Sequence, residues 1–146
     1  MKRILIILAA CVFSLSAMGQ EKVPLVRVGA DLSADFFLPY ANPSVGLGLR
    51  ARCGRPDQWV NLIGAVRYIY GRHLSGFQVP IILNVNLLRF DKISAYVGGG
   101  YEFDFIGTYW GCIKFQGGVL LGQNIDFRVF YKPYQGDLGV GFTYYF

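Results

Sequence analysis

The 146 residues contain one histidine, His73, two positions ahead of Ser75 in "GRHLSG". An imidazole so placed can act as base for a serine hydroxyl and so prepare a nucleophile for acyl transfer. A third, acidic group is needed to orient the base, and none is evident in the pattern. The stretch reads as a polar turn between two strands, so no catalytic role is expected of it. "GGG" (Gly98–Gly100) cannot act as a phosphate loop, because a strand follows it where a helix N-terminus is required. Arg50 and Arg52 could hold a phosphate if they reached a surface; facing inward, they belong to a buried ionic set. No His, Cys or carboxylate grouping has metal-ligand spacing. The expectation is a protein with no catalytic, cofactor-binding or metal residue, and not an enzyme.

The elements that would position these residues begin with a leader. Residues 1–19, "MKRILIILAACVFSLSAMG", carry Lys2 and Arg3, an apolar run from Ile4 to Leu15 and small residues at Ala17 and Gly19. This is the layout of a secretory signal peptide, with cleavage expected before Gln20. "LAAC" (Leu8 to Cys11) also fits a lipoprotein cleavage pattern, but cutting there would leave "VFSLSA" on the mature chain. The apolar run is short of the roughly 20 residues a spanning helix needs. The remainder is expected to form one domain, residues 20–146.

The formal charge is +5. Losing the leader's two cations lowers it, and the rest are scattered, which argues against a nucleic-acid partner. Hydrophobic residues make up 53% of the chain, yet they alternate instead of forming blocks. The closest approach to a block, "VPIILNVNLL", is broken by Asn84 and Asn86.

About eight segments of roughly ten residues show period-2 alternation, as membrane barrel strands do. They are "LVRVGADLSADFF", "SVGLGLRARC", "WVNLIGAVRYIYG", "FQVPIILNVNLLRF", "ISAYVGGGYEFDF", "GCIKFQGGVLLG", "IDFRVFYK" and "LGVGFTYYF". Ile63 and Ile69 blur the pattern in the third. Stretches rich in Gly, Pro, Asn and Asp separate them, as tight antiparallel connections require.

A soluble sandwich would also alternate. Two features argue for a different solvent. The polar parity is rich in glycine, which suits the inside of a narrow, curved barrel. It also mixes both signs in mid-strand: Arg27, Arg50, Arg67, Lys114 and Arg128 with Asp31, Glu102 and Asp126. A barrel of about eight strands has an interior that side chains just fill, and mutual pairing makes burying such charges tolerable. The apolar parity would then face lipid, with aromatics near both ends: Phe36, Tyr68, Tyr70, Phe105 and Tyr131 at one, Trp59, Phe90, Tyr144 and Phe146 at the other. In this layout Cys53 and Cys112 fall at opposite ends, too far apart to bridge.

"FQVPIILNVNL" (Phe77–Leu87), "AYVGGGYEFDF" (Ala95–Phe105) and the closing "GVGFTYYF" resemble, in order, segments of the PorT-like outer-membrane β-barrel family of Bacteroidota. The resemblance implies an outer-membrane location, and no catalytic residues or cofactors come with it. Phe142, Tyr144 and Phe146 resemble the terminal signal read by the outer-membrane insertion machinery. The His73–Ser75 pair resembles that of outer-membrane lipid A deacylases.

The expected fold is thus all-β: a closed antiparallel up-and-down transmembrane barrel of about eight strands. The expected role is structural or surface interaction, with outer-membrane lipid, lipopolysaccharide and the assembly machinery as partners. The alternatives are a lipid-modifying enzyme of deacylase type and a soluble periplasmic lipocalin-like carrier with its apolar face turned inward.

Overall fold

The computed structural model describes residues 25–37, 42–54, 58–71, 75–90, 92–106 and 111–146. The expected leader, Cys11 and His73 lie outside them. The described residues form eight strands: β1 (Val26–Phe37), β2 (Asn42–Cys53), β3 (Val60–Gly71), β4 (Ser75–Arg89), β5 (Ile93–Phe105), β6 (Cys112–Leu121), β7 (Ile125–Lys132) and β8 (Asp137–Tyr145). Among them no helix is long and apolar enough to cross a membrane.

Each strand pairs antiparallel with the next, and β8 returns to β1, so the sheet is a closed barrel. Closure runs from Phe37↔Asp137 to Gly29↔Tyr145, and the Phe146 N–H adds one more bond to the Val28 carbonyl at 3.0 Å. The greasy last strand therefore has no open edge. All eight alternating segments are strands, with ends shifted slightly. β2 starts at Asn42 and β4 at Ser75, because Asn42 pairs with Phe37 and Ser75 with Tyr70. The ladder continues there through polar residues that hide the alternation.

The two parities face opposite solvents, and the greasy one is outside. Arg50, Arg67, Glu102 and Lys114 are each at most 2% exposed, whereas Leu47 is 66% exposed and Val66, Val97, Phe115 and Val140 are likewise open. A soluble monomer seldom exposes a contiguous apolar patch beyond a few hundred Å²; here the whole barrel wall is one. A carrier with an apolar interior requires the reverse, so the lipocalin-like alternative is excluded. Ile63 and Ile69, which blur β3, point inward with Ile82, Leu120 and Phe130 and are buried.

Inward glycines make this small radius possible. At Gly48 and Gly100 an added Cβ would run into the carbonyl oxygens of Val66 and Ile81, with Arg67 Cα and Ile82 Cα at 2.6 and 2.7 Å. These are backbone atoms of the neighbouring strand, which cannot step aside without flattening the curve. At Gly141 the obstacle is the Arg128 guanidinium, whose Cζ would lie 2.5 Å away, and at Gly139 it is the Phe130 ring. We expect Gly100→Ala to cost about 1–3 kcal/mol, the usual penalty for overpacking. Gly64→Ala, on the outer face with nothing within 4 Å, should be near neutral. Urea unfolding of the two variants in detergent micelles checks the contrast.

Two hairpins turn on glycines in the left-handed region, Gly122 (φ 61°) between β6 and β7 and Gly136 (φ 68°) between β7 and β8. Other residues rarely adopt that conformation.

Candidate functional site: the filled lumen

Eight strands place every second side chain in the lumen, and most are polar. With an even strand number, the start of β1 and the end of β8 share one end of the barrel, called here the terminal end. The opposite end carries the β1–β2, β3–β4, β5–β6 and β7–β8 connections and is called the loop end.

Toward the loop end Glu102 is the hub. It is ion-paired with Arg67, with Lys114 at 2.7 Å and with Lys132 at 2.8 Å. Lys132 also reaches Asp35 at 3.1 Å and Asp137 at 3.4 Å. Arg67 donates further to Gln78 (3.0 Å) and Ser33 (3.2 Å). The Phe130 ring lies among the same cations, with Lys114 Nζ 3.8 Å and Arg67 Cζ 5.4 Å from its centroid. Both fall within cation–π range. Gln135, from the β7–β8 turn, donates to Asp104 at 2.9 Å.

Mid-lumen, Asp31 accepts from Arg128 at 2.5 Å and Thr143 at 2.6 Å. Asp126 accepts from Tyr96 at 2.6 Å and faces Arg50 at 3.8 Å. Arg50 continues to Gln116 (3.3 Å), whose amide donates to Asn84 (2.8 Å). At the terminal end Arg52 donates to Asn61 at 3.3 Å, Arg27 to the Gln123 carbonyl, and Asn124 to the Tyr145 carbonyl at 2.8 Å.

All eight residues expected in the ionic lumen are buried there. Arg50, Arg67, Glu102, Lys114, Asp126, Arg128 and Asp31 are joined by side-chain ion pairs. Arg27 differs, because its hydrogen bond goes to a backbone carbonyl. Sequence reasoning missed Asp35, Asp104, Lys132 and Phe130 as members of the set. The first three lie on the correct parity and were discoverable from it. Phe130 was not, since an apolar residue inside a polar lumen contradicts the pattern that reveals the lumen.

The remaining candidates are dispersed. Ser75 is exposed at the start of β4. Gly98 and Gly100 lie inside β5, with no helix after them. Cys53 is exposed, Cys112 buried, and both are free thiols. Phe142, Tyr144 and Phe146 line the outer wall of β8 and its end, Phe142 against Phe127 (5.1 Å) and Tyr144 against Phe146 (6.4 Å).

One grouping was not visible in the sequence. Potential ligand atoms of Glu102, Asp104 and Cys112 lie within 4.8 Å of one another, because Cys112 pairs with Glu102 across the β5–β6 ladder. It does not fit a metal ion, since Glu102 already holds three cations. A divalent ion would face two ammonium groups and a guanidinium at short range.

On the outer wall, Val45, Ala34, Val140, Val129 and Gly117 form a single cross-strand row. Larger side chains flank it, including Leu32, Phe142 and Phe127, and leave a shallow apolar groove of about 720 Å³.

No protein-family model matches the chain, and no curated protein matches it either. Among solved structures it is similar to one described as "De novo design of transmembrane beta-barrels". The two share 16% sequence identity and a TM-score of 0.57, over 87% of this chain and 100% of that one. At that identity the likeness is one of fold, and it agrees with a closed transmembrane barrel of eight antiparallel strands.

Proposed function

We propose that this chain is a small integral outer-membrane protein, similar to the PorT-like barrels of Bacteroidota, with a structural role in the envelope. The observation that carries the reading is the inversion of the barrel: charged side chains are paired inside and aliphatic and aromatic ones cover the outside. Such a surface is stable only against lipid. Seven strands have nine to fifteen residues and β7 has eight, close to or above the roughly 9–11 in which a tilted strand crosses a bilayer. Trp59 and Phe90 near the terminal end, and Phe105, Tyr131 and Tyr134 near the loop end, are exposed, as ring anchors at two interfaces would be.

In this reading residues 1–19 direct export, and the terminal end faces the periplasm. The insertion machinery reads Phe142, Tyr144 and Phe146, which stand on the outer wall of the closing strand. Lipid and lipopolysaccharide contact the wall. The role is non-enzymatic and does not extend to transport, because Glu102, Arg67, Lys114, Lys132 and Phe130 fill the bore.

Fractionation tests the location. The protein should stay with outer-membrane vesicles through a carbonate wash and leave them only with detergent; recovery in the carbonate supernatant would defeat the reading. In planar bilayers the pure protein should give no steady ion conductance. A regular single-channel current would instead make it a pore.

A further inference from the structure

We propose that Gln135 is a latch across the loop end of the lumen, and that its bond to Asp104 controls access of water and small cations to the Glu102 hub. The inference goes beyond the structural role and does not depend on which membrane holds the barrel.

Gln135 belongs to the turn between β7 and β8, residues 133–136. The base of that turn is fixed. The Gln135 and Gly136 N–H groups both donate to the Lys132 carbonyl, at 3.2 and 2.9 Å, and the Lys132 side chain pairs with Asp137. From this anchored base the Gln135 amide reaches past β6 to Asp104 on β5, at 2.9 Å. Cys112, the first residue of β6, sits beside the bond. Its sulfur and one carboxylate oxygen each of Asp104 and Glu102 lie within 4.8 Å of one another.

Asp104 keeps the closure from being tight. It is 5% exposed, yet among the described Asp and Glu side chains it alone forms no ion pair. Asp31, Asp35, Glu102, Asp126 and Asp137 each hold a cation. Burying a carboxylate without a cation is costly, and opening the mouth returns it to water. Against that stands one hydrogen bond from a neutral amide, which by itself favours the closed form about ten- to a hundredfold. The desolvation cost subtracts from this, so local opening lies at the low end of the barrel's stability scale. Deeper layers stay shut, because Arg128–Asp31 and Arg50–Asp126 do not involve Gln135. Opening therefore wets a blind chamber whose first exposed group is an anion, and a small cation is the solute it admits.

Cys112 is a buried free thiol and reports on the latch without forming part of it. Replacing the exposed Cys53 by serine leaves it the single cysteine of residues 20–146. The test follows its reaction with a small cationic methanethiosulfonate, using the folded Cys53→Ser barrel in dodecyl maltoside micelles. Gln135→Met keeps the bulk but lacks the donor, and Gln135→Asn keeps the amide but lacks the reach. Both are neutral, so the charges around the thiol stay the same. Each should label at least about fivefold faster than the parent, as loss of one hydrogen bond to a charged group implies, with the urea midpoint unchanged. Tyr134→Ala, in the same turn with its ring 80% exposed, should label at the parent rate. Parent rates in both Gln135 variants would overturn the proposal, as would equal acceleration in Tyr134→Ala. So would an acceleration that only tracks a lower urea midpoint, because that reports unfolding of the whole barrel.

Discussion

Glu102→Ala should destabilise the barrel by about 3–5 kcal/mol, the cost of removing one partner from a buried ion pair. That is a loss of more than roughly a hundredfold in the folded-to-unfolded ratio. Three cations lose their shared carboxylate, but they are not equally stranded. Lys132 keeps Asp35 and Asp137, and Arg67 keeps Gln78 and Ser33. Lys114 is left with the Phe130 ring at 3.8 Å, and a π face is worth only about 0.5–2 kcal/mol.

This ordering can be measured. Glu102→Gln preserves shape and an acceptor oxygen, and should fall between wild type and the alanine variant. Adding Lys114→Met to Glu102→Ala should recover part of the loss, since it removes the most exposed consequence of the first change. Asp104→Asn should be mild by comparison, because among the described residues that carboxylate accepts its hydrogen bond from the neutral Gln135 amide and forms no ion pair. Urea midpoints in micelles or lipid vesicles decide. Equal, small effects of Glu102→Ala and Asp104→Asn would show that the hub contributes nothing beyond filling space.

Val140→Arg should cost about 2–4 kcal/mol when the barrel is folded in a bilayer, as expected for a cation on the lipid face near the midplane. Val140 lies mid-strand in β8, 50% exposed, in the row of small residues between ridges of larger ones. Its outward neighbours are apolar, and no described carboxylate shares that row. The same substitution at Phe90, beside the terminal end, should cost about 0–1 kcal/mol, because the side chain reaches the interface. A soluble protein would respond in the opposite way, with both arginines tolerated or favourable on an exposed wall. Reversible unfolding from phosphatidylcholine vesicles gives the comparison, and equal tolerance of both sites would refute a lipid-facing wall.

The strands were legible because a two-residue period survives any tertiary arrangement. Leu138, Val140, Phe142 and Tyr144 alternate with small or polar residues whatever they face. Even the choice of solvent left a trace in composition: glycine and mixed charge on one parity, aromatics near the ends of the other. Where the period failed, as at Ile63 and Ile69, the cause is that a lumen can accept apolar filling among its charges. At the β4–β5 bulge between Asn86 and Leu88 the period itself slips, and Leu87 and Leu88 both face outward.

The sequence by itself determined the strands, their up-and-down order and the side of the wall on which each charge stands, because all three follow from local alternation and short connections. Only the tertiary structure decided which charges meet. Register across eight ladders brings Glu102 of β5 to Arg67 of β3, Lys114 of β6 and Lys132 of β7, and sets Arg27 opposite Arg52. Those pairings depend on how far each strand is staggered against its neighbour when the sheet closes, and spacing along one strand carries no record of that distance.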